Sequence, residues 1–358
     1  MKKLHAKFKY REYDFLYGSG LINKTAILLT GLKVDKNVLI VSEKIIKKLH
    51  GAKLETSLKK SGYKYSWHLV KGGDNKTLAE ISKIYSACDK QKITRNSVII
   101  AFGGGLVQDL ACYSSATYKR GINFVQIPTT LLIQADVNIG GCAVDLPEGK
   151  SMIGTFYQPI LVIQDTDLVK SLPESIYIDG IAEIVKYAIT NNFIDQLEKD
   201  FPKLLNRTPK IIEKYNYLSN KIKTDLTQQD ETDSADIRIK IDLGHTFSHA
   251  IEAEMEYKIS HGKALSIGLC AASMLSAKKL NFPMKKVEQI TNLLAKAGLP
   301  VSLPQGLRLE SLLSHIKKDK KYRNNKSVFI LIKNLGKLEI SDKISEQDVK
   351  NALKQITQ

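Results

Sequence analysis

Cysteine is scarce in this sequence, and the few cysteines form no pattern. The chain has 4 cysteines in 358 residues, and no two of them are spaced as a CxxC pair. A disulfide framework or a thiolate zinc knuckle requires cysteines at short, regular spacing. We therefore predict that all of them are free thiols: Cys88, Cys112, Cys142 and Cys270.

Long apolar runs are also missing. None reaches the roughly 20 residues that a membrane-spanning helix needs. The start of the chain, MKKLHAKFKYREYDF, lacks the continuous apolar stretch of a secretory signal. We expect a cytoplasmic protein with no membrane partner.

Acidic residues are outnumbered by basic ones, which gives a formal net charge of +17. The lysines are spread along the chain and alternate with acids, as in KKLHGAKLETSLKK, and no nucleic-acid recognition module accompanies them. This pattern favours a solvated surface over a nucleic-acid site. A basic field would also attract an anionic small molecule.

The chain is long enough for two domains. Up to residue 168, short apolar runs rich in β-branched residues alternate with helical patterns; the runs are NVLIVSE, YSWHLV, SVIIAF, FVQIP and ILVIQD. Strands alternating with helices predict a mostly parallel sheet in a Rossmann-like α/β domain over residues 1–168. Helical periodicity dominates afterwards and predicts an α-helical domain over residues 169–358, with one late strand at SVFILI.

A glycine-rich turn follows the predicted strand SVIIAF, in the stretch GGGLVQD from Gly103 to Asp109. Glycines between a strand and a helix let the backbone approach a phosphate, and the helix N-terminus offers free N–H groups. The hydroxyls of Thr129 and Thr130 end the next strand at the same sheet edge. A nucleotide site is the favoured interpretation, and a purely structural turn is the alternative.

Histidines and a carboxylate in the second half have the composition of a metal site. His245 and His249 are four residues apart on one helix face, and His261 lies beside a glycine. With Glu183 they could supply three ligands and leave positions open, as catalytic metal sites do. Lys186 is three residues after Glu183, so a structural salt bridge is an equally weighted alternative on these residues alone.

The motifs taken together resemble the sugar phosphate cyclases, and most closely the dehydroquinate synthases among them. The similar segments are FGGGLVQDLACYSSATYKRGINFVQIPTTLL, GKSMIGTFYQP, DTDLVKSLP, GIAEIVKYAI, DLGHTFSHAIE and SHGKALSIG. Their order and spacing match from about residue 70 to 350. The resemblance implies a dehydroquinate synthase-like fold and an NAD- and metal-dependent cyclase that eliminates phosphate from a keto-acid sugar phosphate and regenerates its NAD.

The resemblance also implies a role for individual residues. Zinc or cobalt would be held by Glu183, His245 and His261, with His249 facing the substrate. The residues implied for NAD are Gly103, Gly104, Gly105, Asp109, Thr129, Thr130, Lys76 and Lys150. The residues implied for substrate and catalysis are His249, Lys186, Asp136, Lys223, Arg238, Arg120, Lys150 and Lys320.

Within that second set the implied roles differ. Asp136 and Lys186 would organise the substrate hydroxyls and the metal. Lys223 and Arg238 would grip the substrate carboxylate, while Lys150 and Lys320 would complete the polar lining. Arg120 would be lent across the interface of a homodimer.

The sequence departs from the family pattern at Cys142, Ser151 and Asp242, where the family has lysine, asparagine and asparagine. It also has Lys263 after His261, and Gly72-Gly73-Asp74 in the early loop. We expect the first three to alter the phosphate end of the pocket, and Cys142→Lys alone not to restore it.

The carboxylate end is intact, because Lys223 and Arg238 are both retained. This favours a keto-acid substrate, and we predict cyclisation of 3-deoxy-D-arabino-heptulosonate 7-phosphate to 3-dehydroquinate in the shikimate pathway. The alternatives are a cyclase for a related keto-acid phosphate, a polyol dehydrogenase of the same fold, and a non-catalytic nucleotide- or metal-binding homologue.

Overall fold

A computed structural model of the chain describes residues 1–73, 75–147, 149–317 and 326–357. Contacts divide it into two compact units. The first comprises Met1–Leu172 and Pro209–Ser234, and the second comprises Pro173–Thr208 and Ala235–Gln358. None of the helices in the described ranges has the length and apolar character that a bilayer crossing needs.

The strands, numbered in chain order, are β1 Lys2–Lys7, β2 Glu12–Gly18, β3 Asn37–Glu43, β4 Lys64–Val70, β5 Val98–Gly103, β6 Asn123–Pro128, β7 Cys142–Leu146, β8 Gly149–Thr155, β9 Leu161–Asp165, β10 Phe329–Asn334 and β11 Lys337–Ser341. The α-helices are α1 Thr25–Thr30, α2 Lys44–Lys60, α3 Leu78–Lys90, α4 Gly105–Thr117, α5 Leu131–Ala135, α6 Glu174–Thr190, α7 Ile194–Leu205, α8 Pro209–Gln229, α9 His245–Glu254, α10 His261–Leu280, α11 Met284–Lys296, α12 Leu309–Ile316 and α13 Glu346–Gln355.

The first unit is built on a seven-stranded sheet with the order β1-β2-β9-β6-β5-β3-β4. Only the β1–β2 pair in this sheet is antiparallel, and the other neighbours are parallel. All five runs predicted as strands are strands of this sheet. The α/β prediction is confirmed, and the sheet gains the pair β1–β2, which the sequence pattern did not reveal.

The central strands are buried on both faces, as parallel sheets covered by helices are. In β5, Val98, Ile100 and Phe102 belong to one apolar cluster, whereas Ile99 and Ala101 belong to another. Successive side chains of a strand point to opposite faces, so a continuous apolar run serves two cores at once. This explains why the predicted strands were apolar throughout rather than alternating.

Helix α8 belongs to the first unit, although its periodicity placed it with the helical half of the sequence. Two buried asparagines of α8 bind Gln134 of α5. Asn216 Nδ2 donates to the Gln134 Oε1 atom at 2.9 Å, and Asn220 Nδ2 donates to the Gln134 carbonyl at 2.9 Å. Helical periodicity predicts a helix but does not specify the unit against which it packs. The predicted domain boundary at residue 168 therefore stays a prediction. The two compact units have different boundaries.

The second unit contains α6, α7, α9 to α13 and the hairpin β10–β11. Helix α10 is buried along most of its length and packs against α6, α9, α11, α13 and β10. The late strand predicted at SVFILI is confirmed as β10. The long central helix α10 thus provides the frame on which α6 and α9 present their side chains.

Candidate active site

Helix α6 carries a charged pair inside an apolar helix. Glu183 and Lys186 are each 1% exposed, and Lys186 Nζ lies 2.6 Å from Glu183 Oε2. A carboxylate without a counter-charge would be costly at such depth. The predicted salt bridge is therefore present, and it leaves Glu183 Oε1 directed toward other partners.

The start of α10 packs directly on α6. A Cβ atom placed on Gly262 would lie 2.2 Å from the carbonyl oxygen of Asp179, so only glycine permits this approach. Ser260, the N-cap of α10, donates its hydroxyl to Asp179 Oδ1 at 2.7 Å. These two contacts bring His261, the first residue of α10, next to Glu183.

A second close approach joins α9 to α10. A Cβ on Gly268 would lie 2.4 Å from the carbonyl oxygen of Gly244, and Gly244 itself has a φ of 81°, which glycine adopts readily. Gly244 is the N-cap of α9, and His245 follows it as the first helical residue. The crossing brings α9 against α10, and the ring centroids of His245 and His261 lie 5.3 Å apart.

The three side chains predicted as metal ligands meet at this point. The ligand atoms of Glu183, His245 and His261 all lie within 4.8 Å of one another. His261 Nε2 is 3.1 Å from Glu183 Oε1, and His245 Nε2 is 3.8 Å from the same oxygen. His249 lies beside them, with its ring centroid 5.4 Å from that of His245. The spacing of one carboxylate and two imidazoles suits a divalent cation with open positions.

The electrostatics of the two histidines fit a cation at this point. Burial, assisted by Lys186, lowers the pKa of His245 well below its usual value, so its ring is neutral and able to act as a ligand. For His261, burial acts in the opposite direction to its hydrogen bonds, but Glu183 and Glu252 prevail and raise its pKa to about 10. The two carboxylates thus favour a positive charge at His261.

Glu252 is a site residue that the sequence interpretation missed. Its Oε1 atom lies 2.7 Å from His261 Nδ1, on the side of the ring away from Glu183. A carboxylate that accepts the second N–H of a metal-binding histidine fixes the tautomer and makes the ring a better ligand. Glu252 lies three residues after His249 on α9, which would have suggested a shared helix face.

We expect Glu252→Gln to weaken metal binding by about 10- to 100-fold, because the amide no longer supplies the negative charge that supports His261. The dissociation constant of zinc, measured in competition with a chelator, gives this directly. Glu256→Gln is the matched control, since Glu256 is exposed and pairs with Lys258 just beyond α9. Equal zinc affinity in the wild type and in Glu252→Gln would contradict the assigned role.

The glycine-rich turn of the first unit has no room for side chains at its start. A Cβ on Gly103 would lie 2.6 Å from Val107 Cγ2, and one on Gly104 would lie 3.3 Å from Thr130 Cγ2. Gly104 is the N-cap of α4 and makes no side-chain cap, so the first N–H groups of α4 are accessible to a ligand. The turn thus has the shape of a phosphate cradle, and its role in binding a nucleotide stays a prediction.

The two threonines that follow β6 differ in what their hydroxyls do. Thr130 Oγ1 caps α5 by accepting the N–H of Ile133 at 3.4 Å. Thr129 Oγ1 is buried and has no hydrogen-bond partner among the described residues. Because a buried hydroxyl without a partner is costly, Thr129 is the better candidate for a contact with bound nucleotide.

Lys76 and Asp109, both predicted for the cofactor, lie in one ion-pair network. Lys76 Nζ is 3.1 Å from Asp109 Oδ2 and 3.6 Å from Asp145 Oδ1, and Asn138 Nδ2 donates to Asp109 Oδ1 at 2.7 Å. Burial raises the pKa of Asp109, although Lys76 and Asn138 act to lower it. The network links the loop before α3, helix α4 and strand β7.

Ser151, one of the departures from the family pattern, joins this network. Its N–H donates to Asp145 Oδ1 at 2.7 Å, and its hydroxyl accepts from Lys76 Nζ at 3.1 Å. Its φ of 55° lies in the left-handed region, which asparagine tolerates better than serine. The serine thus occupies a conformation suited to asparagine while its short side chain contacts Lys76.

Cys142 lies among apolar side chains, and the expectation that it alters the phosphate end of the pocket stays a prediction. The thiol is 8% exposed and lies in an apolar cluster with Cys112 and Val144. Burial and the adjacent Cys142 thiol raise the pKa of Cys112 well above its usual value. Side chains alternate along β7, so Cys142 and Val144 face the core while Asp145 faces Lys76.

Asp136 and Lys223 are brought together within the first unit, with Lys223 Nζ 2.7 Å from Asp136 Oδ1. Lys223 on α8 is buried and Asp136 ends α5. The lysine therefore already has a counter-charge, which the sequence interpretation had assigned to the substrate. A substrate carboxylate at Lys223 would have to share it with Asp136.

The remaining predicted residues occupy separate positions. Arg238 begins a 3₁₀ helix in the second unit and is half-buried. Arg120 is exposed on a turn, where both it and Lys119 have a positive φ. Lys150 is exposed on β8. Lys320 lies outside the described residues. The roles assigned to these four residues stay predictions.

Two family models and a curated relative match most of this chain. A family model described as 3-dehydroquinate synthase N-terminal matches residues 66–179, and one described as 3-dehydroquinate synthase C-terminal matches residues 180–322. The 3-dehydroquinate synthase of Desulforamulus reducens is 35% identical over 350 residues, which cover 96% of this chain and 97% of that protein.

Solved structures with lower identity share the fold. The 2-epi-5-epi-valiolone synthase of Streptomyces hygroscopicus, with NAD⁺ and Zn²⁺ bound, has a TM-score of 0.89 at 21% identity and covers 98% of both chains. A 2-deoxy-scyllo-inosose synthase complexed with carbaglucose-6-phosphate, NAD⁺ and Co²⁺ has a TM-score of 0.88 at 22% identity and covers 99% of both chains.

Proposed function

This chain belongs to the 3-dehydroquinate synthase family, and from that membership we propose that it cyclises 3-deoxy-D-arabino-heptulosonate 7-phosphate to 3-dehydroquinate with release of phosphate. It is an enzyme of the phosphate-eliminating lyase type that uses NAD and a divalent metal. The observation that carries the proposal is the convergence of Glu183, His245 and His261, in a chain related along its whole length to enzymes of this name.

We propose that Glu183, His245 and His261 hold zinc or cobalt. The neutral His245, the carboxylate-supported His261 and the buried Glu183 are the donor types that these cations accept. The metal supplies Lewis acidity toward a substrate hydroxyl and carbonyl. Lys186, fixed beside Glu183, keeps a positive charge next to this region and offers an N–H donor to a substrate oxygen.

We propose that His249 contacts the substrate rather than the metal. It lies one helical turn from His245 on α9, is partly exposed, and its ring packs edge-on against that of His245. An imidazole can donate a hydrogen bond to a hydroxyl or accept one from it. Its place beside the metal ligands supports a role in handling the substrate hydroxyls.

We propose that the glycine-rich turn, Thr129, Asp109 and Lys76 hold NAD. The cradle at Gly103 and the unpartnered Thr129 hydroxyl fit a phosphate-bearing ligand with polar groups. NAD bound there would supply a hydride acceptor. Lys76, held by Asp109, stays positioned at the edge of the cradle and offers a positive charge to the pyrophosphate.

The substrate class is proposed from the family and from Arg238 and Lys223. Synthases in the same structural class act on different substrates, so the shared fold does not decide between a keto acid and a neutral sugar phosphate. This chain is 35% identical to a 3-dehydroquinate synthase, a member of the keto-acid branch. Its identity to the valiolone and inosose synthases is 21% and 22%. The arginine gives a carboxylate a bidentate partner that a neutral sugar could not use.

We expect Arg238→Ala to lower kcat/KM for the heptulosonate phosphate by about 10- to 100-fold, because one charge-assisted hydrogen-bonded contact to the carboxylate is lost. Phosphate release from the heptulosonate phosphate, and its competitive inhibition by glucose 6-phosphate as the neutral sugar phosphate, should be measured in the wild type and the variant. Arg207→Ala is the control, since Arg207 packs on Tyr177 in the same unit. Equal losses for both ligands would refute the carboxylate assignment.

The partner class is a small anionic molecule. We also propose that the protein is cytoplasmic and that it forms a homodimer to which Arg120 contributes. The exposed position of Arg120 supports its role in the homodimer.

A further inference from the structure

Asn220 is a buried amide on the face of α8 that packs against the end of α5. Both helices belong to the first unit, and Asn220 has no exposed surface. Its Nδ2 atom donates to the carbonyl oxygen of Gln134 at 2.9 Å, and its Oδ1 atom accepts a longer bond from the N–H of Val137 at 3.5 Å. One side chain therefore holds the backbone on both sides of residues 135 and 136.

Asp136 lies between the two residues that Asn220 holds. It directly follows α5, and its N–H makes the final helical bond, to the carbonyl of Leu132. Its own backbone has left the helical conformation, with a φ of −128° and a ψ of 64°. Because the helix no longer fixes the chain here, the direction of the Asp136 side chain depends on the contacts that flank it.

The partner of Asp136 comes from the same helix face as Asn220. Lys223 lies three residues after Asn220 on α8, and residues three apart share a helix face. Lys223 is also buried, and its Nζ atom lies 2.7 Å from Asp136 Oδ1. One helix thus carries both the ammonium and the amide that holds the backbone around its partner carboxylate.

Gln134, which Asn220 binds, is itself fixed to the sheet. The Gln134 Nε2 atom donates to the carbonyl of Pro128 at 3.0 Å and to that of Asp165 at 2.9 Å, at the ends of β6 and β9. Hydrogen bonds buried in a low dielectric are strong and hold the groups that they join. Asn220 therefore ties the turn after α5 to the carboxyl edge of the parallel sheet.

We propose that Asn220 is a positioning residue for the Asp136–Lys223 pair. This inference rests on the proposed function, in which these two side chains bind the substrate. With both Asn220 bonds made, the carboxylate and the ammonium stand at a fixed separation when the substrate arrives. Without them, the turn after α5 can shift, and the pair no longer meets the substrate in the geometry that binding requires.

The test is the Michaelis constant of Asn220→Ala for the heptulosonate phosphate, measured by phosphate release with the full-length protein, NAD and zinc. We expect KM to rise about tenfold and kcat to change by less than about threefold, because a loss of binding contacts raises KM. A merely structural role gives a different pattern. A partly unfolded sample contains fewer active molecules, which lowers the apparent kcat and leaves KM unchanged.

Asn216→Ala is the matched control. Asn216 is equally buried, one helical turn before Asn220, and its Nδ2 atom donates to Gln134 at 2.9 Å. This bond goes to the side-chain Oε1 atom of Gln134 rather than to the backbone that flanks Asp136. We expect the two alanine variants to lose similar amounts of Tm, and Asn216→Ala to keep the wild-type KM.

Asn220→Ser and Asn216→Ser repeat the comparison if an alanine variant does not fold. A serine hydroxyl is too short to reach both backbone groups, so KM should again rise only for the change at residue 220. An unchanged KM in the folded residue-220 variants, or an equal rise in the residue-216 variants, would overturn the inference alone. A wild type that releases no phosphate from the heptulosonate phosphate would overturn the proposed function and the inference together.

Discussion

His261→Ala is expected to abolish stoichiometric metal binding and to lower kcat/KM by about a thousandfold or more. His261 supplies one of three predicted ligands and is itself supported by Glu252, so alanine removes a donor and leaves two carboxylates facing each other across the site. Several kcal/mol of transition-state stabilisation depend on a correctly held cation, and each 1.36 kcal/mol corresponds to a tenfold change in rate. Metal content by elemental analysis, beside the rate of phosphate release, measures both effects.

His5→Ala is the control for that experiment, because His5 is exposed on β1 and pairs with Asp14. It should keep the wild-type metal content and rate. A His261→Ala protein that is folded and still holds one metal per chain would show that the site is elsewhere.

Cys142→Lys is expected to destabilise the first unit rather than to restore a phosphate contact. The side chain points into an apolar cluster with Cys112 and Val144, where an ammonium would be buried among apolar side chains. Desolvating a charge and placing a larger side chain there costs at least about 3 kcal/mol. A drop in Tm of roughly 6–12 °C follows for a unit of this size.

Ala143→Lys is the matched control, since Ala143 is the next residue of β7 and faces the opposite side of the strand. Its Tm should fall by much less. Cys142→Lys with unchanged Tm and tighter phosphate binding would mean that the side chain reaches the pocket, as the family pattern suggested.

The sequence was sufficient to predict the strands that are buried on both faces. Short apolar runs such as NVLIVSE are typical of strands in a parallel sheet covered by helices, and β3 spans that run. Strands β1 and β2 escaped prediction because charged residues interrupt them. In β1 only Leu4 and Ala6 are buried, at alternate positions, which is too short a signal to separate from a loop.

The metal triad was predictable because the family resemblance selected it from a larger set of candidates. The residues alone left a salt bridge between Glu183 and Lys186 equally weighted, and the structure brings Glu183, His245 and His261 together. Glu252 was missed because a carboxylate near the end of an amphipathic helix resembles any solvated acid. Only the three-dimensional contact with His261 distinguishes it.

The orientation of Cys142 could not be predicted from the family pattern. A departure from a motif shows which residue is replaced, but the direction of a side chain depends on strand register. Similarly, Lys223 appeared to lack a counter-charge because Asp136 is distant from it in sequence, although the two atoms are 2.7 Å apart. Long-range pairing of this kind becomes visible only in the folded chain.

The central claim is that this chain is a cyclase that regenerates its NAD. The direct measurement is incubation of the purified protein with a limiting amount of NAD, a divalent metal and the heptulosonate phosphate, with phosphate, NADH and product mass followed together. We predict many phosphates released per NAD, no accumulation of NADH, and a product lighter than the substrate by the elements of phosphoric acid. NADH that accumulates in step with substrate consumption would identify a dehydrogenase, and no turnover with metal and NAD present would identify a non-catalytic homologue; either result would contradict this account.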